Sequence, residues 1–218
     1  MEYGITSLKN KYSGPVTLVG NGPSLDFDNI DSPSIAMNSI TLAFPNTDWR
    51  PDFYVCISRE LINNETMMGR VIDALELGIP CFLNVNYNPR LRDWPNAHYI
   101  SLATSRHAPL QGDWLQNGVW FLSYATTMTV TAGIAQYLGF GAIEFIGIDG
   151  YVTCPKDNDL NHFDESYNED ILPDDKDTED TVQVNLINVR QARAMEFVYH
   201  NLIEGGVSVQ RAKGKNGL

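Results

Sequence analysis

Several short runs in this chain are apolar on both faces, and a run of that kind has few places to go in a folded protein. A strand with one wet face alternates apolar and polar residues. A strand without that alternation must be covered on both sides, as in a parallel sheet between two helical layers. The strand-like runs are "PVTLVG" (15–20), "SIAMNS" (34–39), "DFYVCIS" (52–58), "PCFLNVN" (80–86), "AHYISLA" (97–103), "AIEFIGI" (142–148) and "VSVQ" (207–210). Helical patterns separate them. "RELINNETMMGRVIDALELG" places Leu61, Met68, Ile72 and Leu75 on one face and ends at Gly78. "TTMTVTAGIAQYLG" ends at Gly139, and "VNLINVRQARAMEFVYHNLIEGG" aligns Ile187, Ala194, Val198 and Leu202 before Gly205 and Gly206. This is the cadence of strand–helix–strand units. It predicts an α/β protein: one Rossmann-like domain over residues 1–218, with a mostly parallel sheet and helices on both faces. At 218 residues and 43% hydrophobic the chain can bury such a core, and no linker divides it.

Charge is concentrated in one place. The net charge is -12, yet residues 156–180 hold eleven Asp or Glu against two Lys, a local balance of -9. The rest of the chain is nearly neutral, which argues against a nucleic-acid surface. Residues 152–182 therefore read as an acidic, lid-like loop insertion, kept extended by repulsion unless a ligand, a metal or a partner subunit of the same kind gathers it. No run of 18 apolar residues is present to span a bilayer, and "MEYGITSLKN" lacks the order of a secretion signal, so the expectation is a cytoplasmic protein with no integral membrane segment. Cys56, Cys81 and Cys154 are far apart and form no CxxC pair. Cys56 and Cys81 lie in apolar runs, as buried thiols do.

The first strand runs into "GNGPSL" (20–25), a loop of small residues where an open α/β sheet binds its ligands. Gly20 and Gly22 let backbone come close to a ligand, Asn21 offers a donor and an acceptor, and Ser24 follows Pro23, which can open a helical turn with free N–H groups. The dinucleotide fingerprint is a poor match, because the third glycine is absent and "DFDNIDSPS" stands where a long helix belongs. "DND" (157–159) is a DxD triplet and "DNDLNHFDESYN" has acidic groups at calcium-loop spacing. His162 stands where that loop turns on Gly, however, and Asn168 where it needs Glu, so no metal ligands are assigned.

These motifs, with "TTM" (126–128), "YLGF" (137–140), "GIDGY" (147–151) and "ARAMEFVYHNL" (192–202), resemble in order those of the bacterial sialyltransferases of glycosyltransferase family 42. Only the first is nearly verbatim. The archaeal 6-hydroxymethylpterin diphosphokinase-like proteins share a similar opening loop and "GID" strand. The sialyltransferase resemblance implies a glycosyltransferase moving a sialic-acid-like sugar from a CMP-activated donor to a glycan acceptor, with no cofactor required. It implies that Asn21, Gly22, Ser24, Asn38, Thr126, Thr127 and Asp149 line the nucleotide-sugar site and that Tyr151 donates to the leaving phosphate. Uncharged amide and hydroxyl groups suit that task without a divalent ion. Asn and Thr at strand and helix ends also serve simply as backbone caps, so both roles stay open.

Two departures bear on the chemistry. The family's histidine base before the last long helix has no counterpart in "TVQVNLINVRQ", and an arginine ahead of the Thr-Ser pair is Tyr124 here. The nearest substitute base is His162 in "NHFDE", an Asn-His-Phe triplet that more distant relatives also carry; histidine titrates near neutrality, and a partly buried structural histidine is the alternative role. Phe163 and Tyr167 give that part of the acidic loop apolar groups to dock on the domain. Two other readings stand beside this one. The first is a pterin diphosphokinase-like enzyme using ATP and Mg²⁺, and the second is a catalytically inactive nucleotide-binding relative.

Overall fold

A computed structural model describes residues 5–31, 33–58, 63–103, 115–116, 120–122, 126–149, 163–164 and 181–211. The strands are β1 (Pro15–Val19), β2 (Ser34–Met37), β3 (Phe53–Cys56), β4 (Cys81–Asn84), β5 (Ala97–Ala103), β6 (Leu115–Gln116), β7 (Trp120–Leu122), β8 (Ala142–Ile146) and β9 (Ser208–Arg211). The α-helices are α1 (Glu65–Glu76), α2 (Asn88–Leu91), α3 (Thr127–Leu138) and α4 (Thr181–Glu204). Among the described residues these strands form one sheet in the order β6-β7-β5-β4-β3-β2-β1-β8-β9. Neighbours run parallel, except that the two-residue β6 is antiparallel to β7 at the edge.

All seven apolar runs are strands of this sheet. Strand alternation sorts their side chains into two cores. Val16 and Leu18 of β1, Ile35 and Met37 of β2, and Phe53 and Val55 of β3 face α3 and the Val198–Leu202 side of α4. Val19, Ala36, Tyr54 and Cys56 point the other way, beneath Met67, Met68, Val71 and Leu75 of α1. Helices therefore cover both faces, and the chain is the expected Rossmann-like α/β arrangement.

Helix ends follow local chemistry. The Asn64 side chain accepts from Met67 N at 2.9 Å and starts α1. α1 is thus shorter than its apolar pattern suggests. Its inner face is Met67, Met68, Val71 and Leu75, with Ile72 at the margin, and Leu61 lies outside the described residues. Gly139 ends α3 at φ +105°, where a side chain would also run into the Tyr12 carbonyl of the N-terminal segment. α2, β6 and β7 carry no apolar periodicity long enough to read. Of the acidic insertion expected over 152–182, only Phe163, Asp164 and the first two residues of α4 are described.

Chain order reverses between β1 and β8. The chain starts in the middle of the sheet, builds outward from β1 to β5, and returns to lay β8 against the other side of β1. Val19 is thereby in register with both Ala36 and Ile146. Open α/β sheets place their ligands beyond the carboxyl ends of the strands at such a reversal.

Leu18 is fully buried in the middle strand, so Leu18→Ala is expected to cost about 2–5 kcal/mol in denaturant unfolding, whereas Leu77→Ala, on a half-exposed side chain, stays within about 0.5 kcal/mol. Burial pushes the Cys56 and Cys81 thiols up, so the folded chain keeps them protonated. The unfolded chain releases those protons above about pH 8.5. Their contribution to stability is therefore intact below that pH and falls as pH rises. The Cys56→Ala/Cys81→Ala variant should show a flatter loss of stability between about pH 8.5 and 10 in urea melts run across pH.

Candidate functional site

The loops after β1 and β8 are laced together by backbone. Gly20 N donates to the Ile146 carbonyl and Gly22 N to the Gly147 carbonyl, each at 2.8 Å. Ser24 N then donates to Asp149 Oδ2 at 3.2 Å. This explains the glycines differently from the sequence expectation. A Cβ on Gly20 would strike the Gly147 carbonyl, and one on Gly22 would strike the Asp149 carboxylate and come within 2.8 Å of that same carbonyl. The close approach they permit is thus of one loop to the other. Residues 22–25 also form a turn, with Leu25 N bonded to the Gly22 carbonyl at 3.1 Å, in place of a helical start with amides free for an anion.

Asn21 projects from this laced pair toward β2. Its Nδ2 donates to the Met37 carbonyl at 3.1 Å, which ties the opening loop to the end of the second strand. The next residue, Asn38, has φ +51°, a conformation that asparagine tolerates better than most residues. Its side chain meets Thr127 at the first turn of α3: Asn38 Nδ2 lies 3.3 Å from Thr127 Oγ1, and the Thr127 hydroxyl lies 3.4 Å from Asn38 Oδ1. The amide N–H donates in the first contact and the hydroxyl in the second, and the second amide N–H and the remaining oxygen lone pairs leave the pair polar capacity for a third group.

The two threonines have separate tasks. Thr126 Oγ1 accepts from Thr129 N at 3.4 Å and caps α3, while Thr129 and Thr131 return their hydroxyls to the Thr126 and Thr127 carbonyls at 2.6 and 2.9 Å. Thr127 instead reaches across the chain to Asn38. The acidic insertion touches the same place. Phe163 N donates to the Asn21 carbonyl at 2.9 Å, and its ring meets that of Phe27 edge-on at 5.7 Å between centroids. Phe27 in turn lies 5.4 Å from the Trp49 ring.

Asn21, Gly22, Ser24 and Asp149 therefore lie in the laced loops, Asn21 reaches the end of β2, Asn38 meets Thr127, and Thr126 caps α3 beside it. Tyr151 and His162 lie outside the described residues, as do "DND" and Cys154. Asp149 is the acid of this group and the other named side chains are uncharged. Among the described residues no three His, Cys, Asp or Glu side chains come together to hold a metal ion, and no helix is long and apolar enough to cross a membrane.

Sequence reading missed a polar layer under this edge. Tyr54, which reads as apolar filling in "DFYVCIS", donates its hydroxyl to the Asn38 carbonyl at 2.6 Å. Arg70, buried in α1, bonds the Ser39 hydroxyl. Tyr87 donates to the Ser58 carbonyl at 3.1 Å, beside the Cys56 thiol. The one readable signal was Asn38 itself, since asparagine tolerates a positive φ better than most residues and here follows an apolar strand directly.

No protein-family model matches the sequence, and no curated protein matches it. Among solved structures, the MAf glycosyltransferase from Magnetospirillum magneticum AMB-1 is similar at 22% identity and TM-score 0.42, over 71% of this chain. The chain spans only 28% of that protein's length. The sialyltransferase CstII from Campylobacter jejuni, in complex with cytidine-5'-monophosphate, is similar at 12% identity and TM-score 0.35, over 90% of this chain and 79% of that one. A CST-II sialyltransferase structure with a trisaccharide acceptor and CMP is similar at 11% identity and TM-score 0.35, over 90% and 80%. Identities and TM-scores this low leave the chemistry to be read from the chain's own residues.

The laced loops give a specific expectation. Gly20→Ala and Gly22→Ala should each destabilise the fold by about 2 kcal/mol or more, as substitutions against close backbone contacts do. Asp149→Ala should couple to Gly22→Ala by about 0.5–3 kcal/mol and leave Gly20→Ala unrelieved, because a Cβ on Gly20 would meet the Gly147 backbone and the Ile148 side chain, not Asp149. Double-mutant cycles in chemical denaturation measure both, and equal coupling in the two backgrounds would remove Asp149 as the neighbour that matters.

Proposed function

We propose that the carboxyl edge binds a nucleotide-activated sugar, with a CMP-linked, sialic-acid-like sugar as donor and a glycan hydroxyl as acceptor. The observation that carries this reading is the Asn38–Thr127 pair beside Asn21. Three residues far apart in sequence present neutral amide and hydroxyl groups at the reversal point of the sheet. The order of motifs along the chain, from "GNGPSL" to "GIDGY", supports the same reading. Neutral donors hold a nucleotide monophosphate without a bridging metal, and the amino end of α3 adds a favourable field for phosphate.

In the proposed reaction the acceptor hydroxyl attacks the anomeric carbon of the sugar. A new C–O bond forms as the bond from that carbon to the phosphate oxygen of CMP breaks. Tyr151 donates a hydrogen bond to the leaving phosphate as charge develops there. His162, which precedes the docked Phe163 in the chain, takes the acceptor proton. Preorganised neutral donors are worth most at a phosphate whose charge grows in the transition state.

Isothermal titration with CMP and a CMP-sugar, set beside ATP with Mg²⁺, tests the proposal. CMP and the CMP-sugar are expected to bind, Asn21→Ala to weaken them at least tenfold with the melting curve kept cooperative, and His162→Ala to abolish sugar transfer while leaving CMP affinity intact. Binding of ATP with Mg²⁺ in place of CMP would replace this reading with a kinase-like one. Binding of CMP by a wild-type chain that transfers no sugar would make the protein an inactive nucleotide binder.

A further inference from the structure

Asn38 is the residue of the edge whose conformation most needs outside support. Its φ of +51° costs a side-chain-bearing residue free energy that surrounding structure must offset. Met37 before it is extended, at φ -145° and ψ 159°, and Ser39 after it has φ -81° and ψ 19°, so the chain changes direction at Asn38 itself. The direction of that turn decides whether the Asn38 amide meets Thr127 or points elsewhere.

Two buried groups grip the turn from the side away from Thr127's helix. The Tyr54 hydroxyl, on a side chain with no exposed surface, donates to the Asn38 carbonyl at 2.6 Å. Tyr54 sits on β3, next to β2 in the sheet, with Ala36 as its register partner, so its ring is aligned by the sheet before its hydroxyl is used. The same hydroxyl reaches the Cys56 thiol, which lies 3.5 Å from the Tyr87 hydroxyl. Arg70 holds the hydroxyl of Ser39, the adjoining residue, and both side chains are buried. Tyr54 and Asn38 are thus linked through a carbonyl, while Arg70 and Asn38 are linked through one peptide bond.

We infer that Tyr54 and Arg70 are positioning residues: through the Asn38 carbonyl and the Ser39 hydroxyl they hold the left-handed turn that aims the Asn38 amide at Thr127 and at a ligand's polar groups. The ligand half of this inference rests on the proposed nucleotide-sugar site. The geometric half concerns Asn38 alone. A hydroxyl serving only core satisfaction would stabilise the fold without setting the environment of the Asn38 side chain. A positioning hydroxyl sets both.

The test uses the whole chain and two readouts. The Asn38 side-chain amide pair is assigned in a nitrogen–proton correlation spectrum by its loss in Asn38→Ala. Tyr54→Phe keeps the ring and removes only the hydroxyl. It is expected to shift or broaden the Asn38 amide pair and to raise the CMP dissociation constant about five- to tenfold, the effect of one lost buried hydrogen bond. Ser39→Ala, which removes the hydroxyl that Arg70 holds, should move the same resonances in a second background, so a failure of Tyr54→Phe to fold leaves the inference testable. An Asn38 amide pair that stays in place in both variants while only the melting temperature falls would overturn the inference. If the wild-type chain does not bind CMP, the nucleotide reading fails separately, and the Asn38 resonances alone decide the positioning role.

Discussion

The parallel pairing of β1 with β8 joins the two halves of the sheet, and every other feature of the carboxyl edge is placed relative to it. β1 is the first strand laid down and β8 the last but one, so a contact between residues more than a hundred apart closes the core. The pairing continues past the strands. Gly20, Gly22 and Ser24 extend it through backbone amides into the Gly147 and Asp149 loop. Glycine is demanded on both sides, because Gly20 and Gly147 face each other too closely for a Cβ on either, and Gly147 itself sits at φ +66°. With those amides engaged, the polar side chains at the edge lie toward β2 and the start of α3.

That displacement gives the second strand an unusual weight. In many open sheets the first strand–helix loop binds phosphate with its own N–H groups. Here the first loop is occupied with its neighbour and offers the Asn21 side chain, which is committed at one end to the Met37 carbonyl. The Asn38 turn meets the first turn of α3, and Phe163 bonds the Asn21 carbonyl. Asn21, Asn38 and Thr127 come from three separate segments, each placed by rigid elements or by backbone hydrogen bonds. A site assembled this way is held by the fold more than by any one loop.

The support beneath the edge is polar and buried. Tyr54, Cys56, Tyr87, Ser39 and Arg70 lie between the strands and α1, in a core that is otherwise aliphatic and aromatic. Burying such groups costs free energy unless their hydrogen bonds are made, and Tyr54, Arg70 and Tyr87 each make one to the turns that follow β2 and β3. Polar residues placed under strand ends, where an apolar side chain would pack with less constraint, specify turn geometry.

Much of the scaffold was legible in the amino-acid order. Strand periodicity and two-sided apolarity mark all seven principal strands, and Thr126, Gly78 and Gly139 punctuate α1 and α3, because these signals arise within a few residues of chain. The chain also marked Asn21, Asn38 and Thr127 as polar groups at element ends. It left open whether they meet. What brought them together is strand order: β2 and β8 flank β1 on opposite sides, and α3 starts at the edge where β2 ends, a consequence of long-range pairing that local patterns do not encode. The same holds for the glycines, whose partners lie 125 or more residues away, and for Tyr54 and Arg70, whose sequence settings are those of ordinary core and helix residues. Local chemistry determined which elements form. Only the packing of those elements decided which polar groups share a site, since proximity across a sheet depends on strand neighbours and not on distance along the chain.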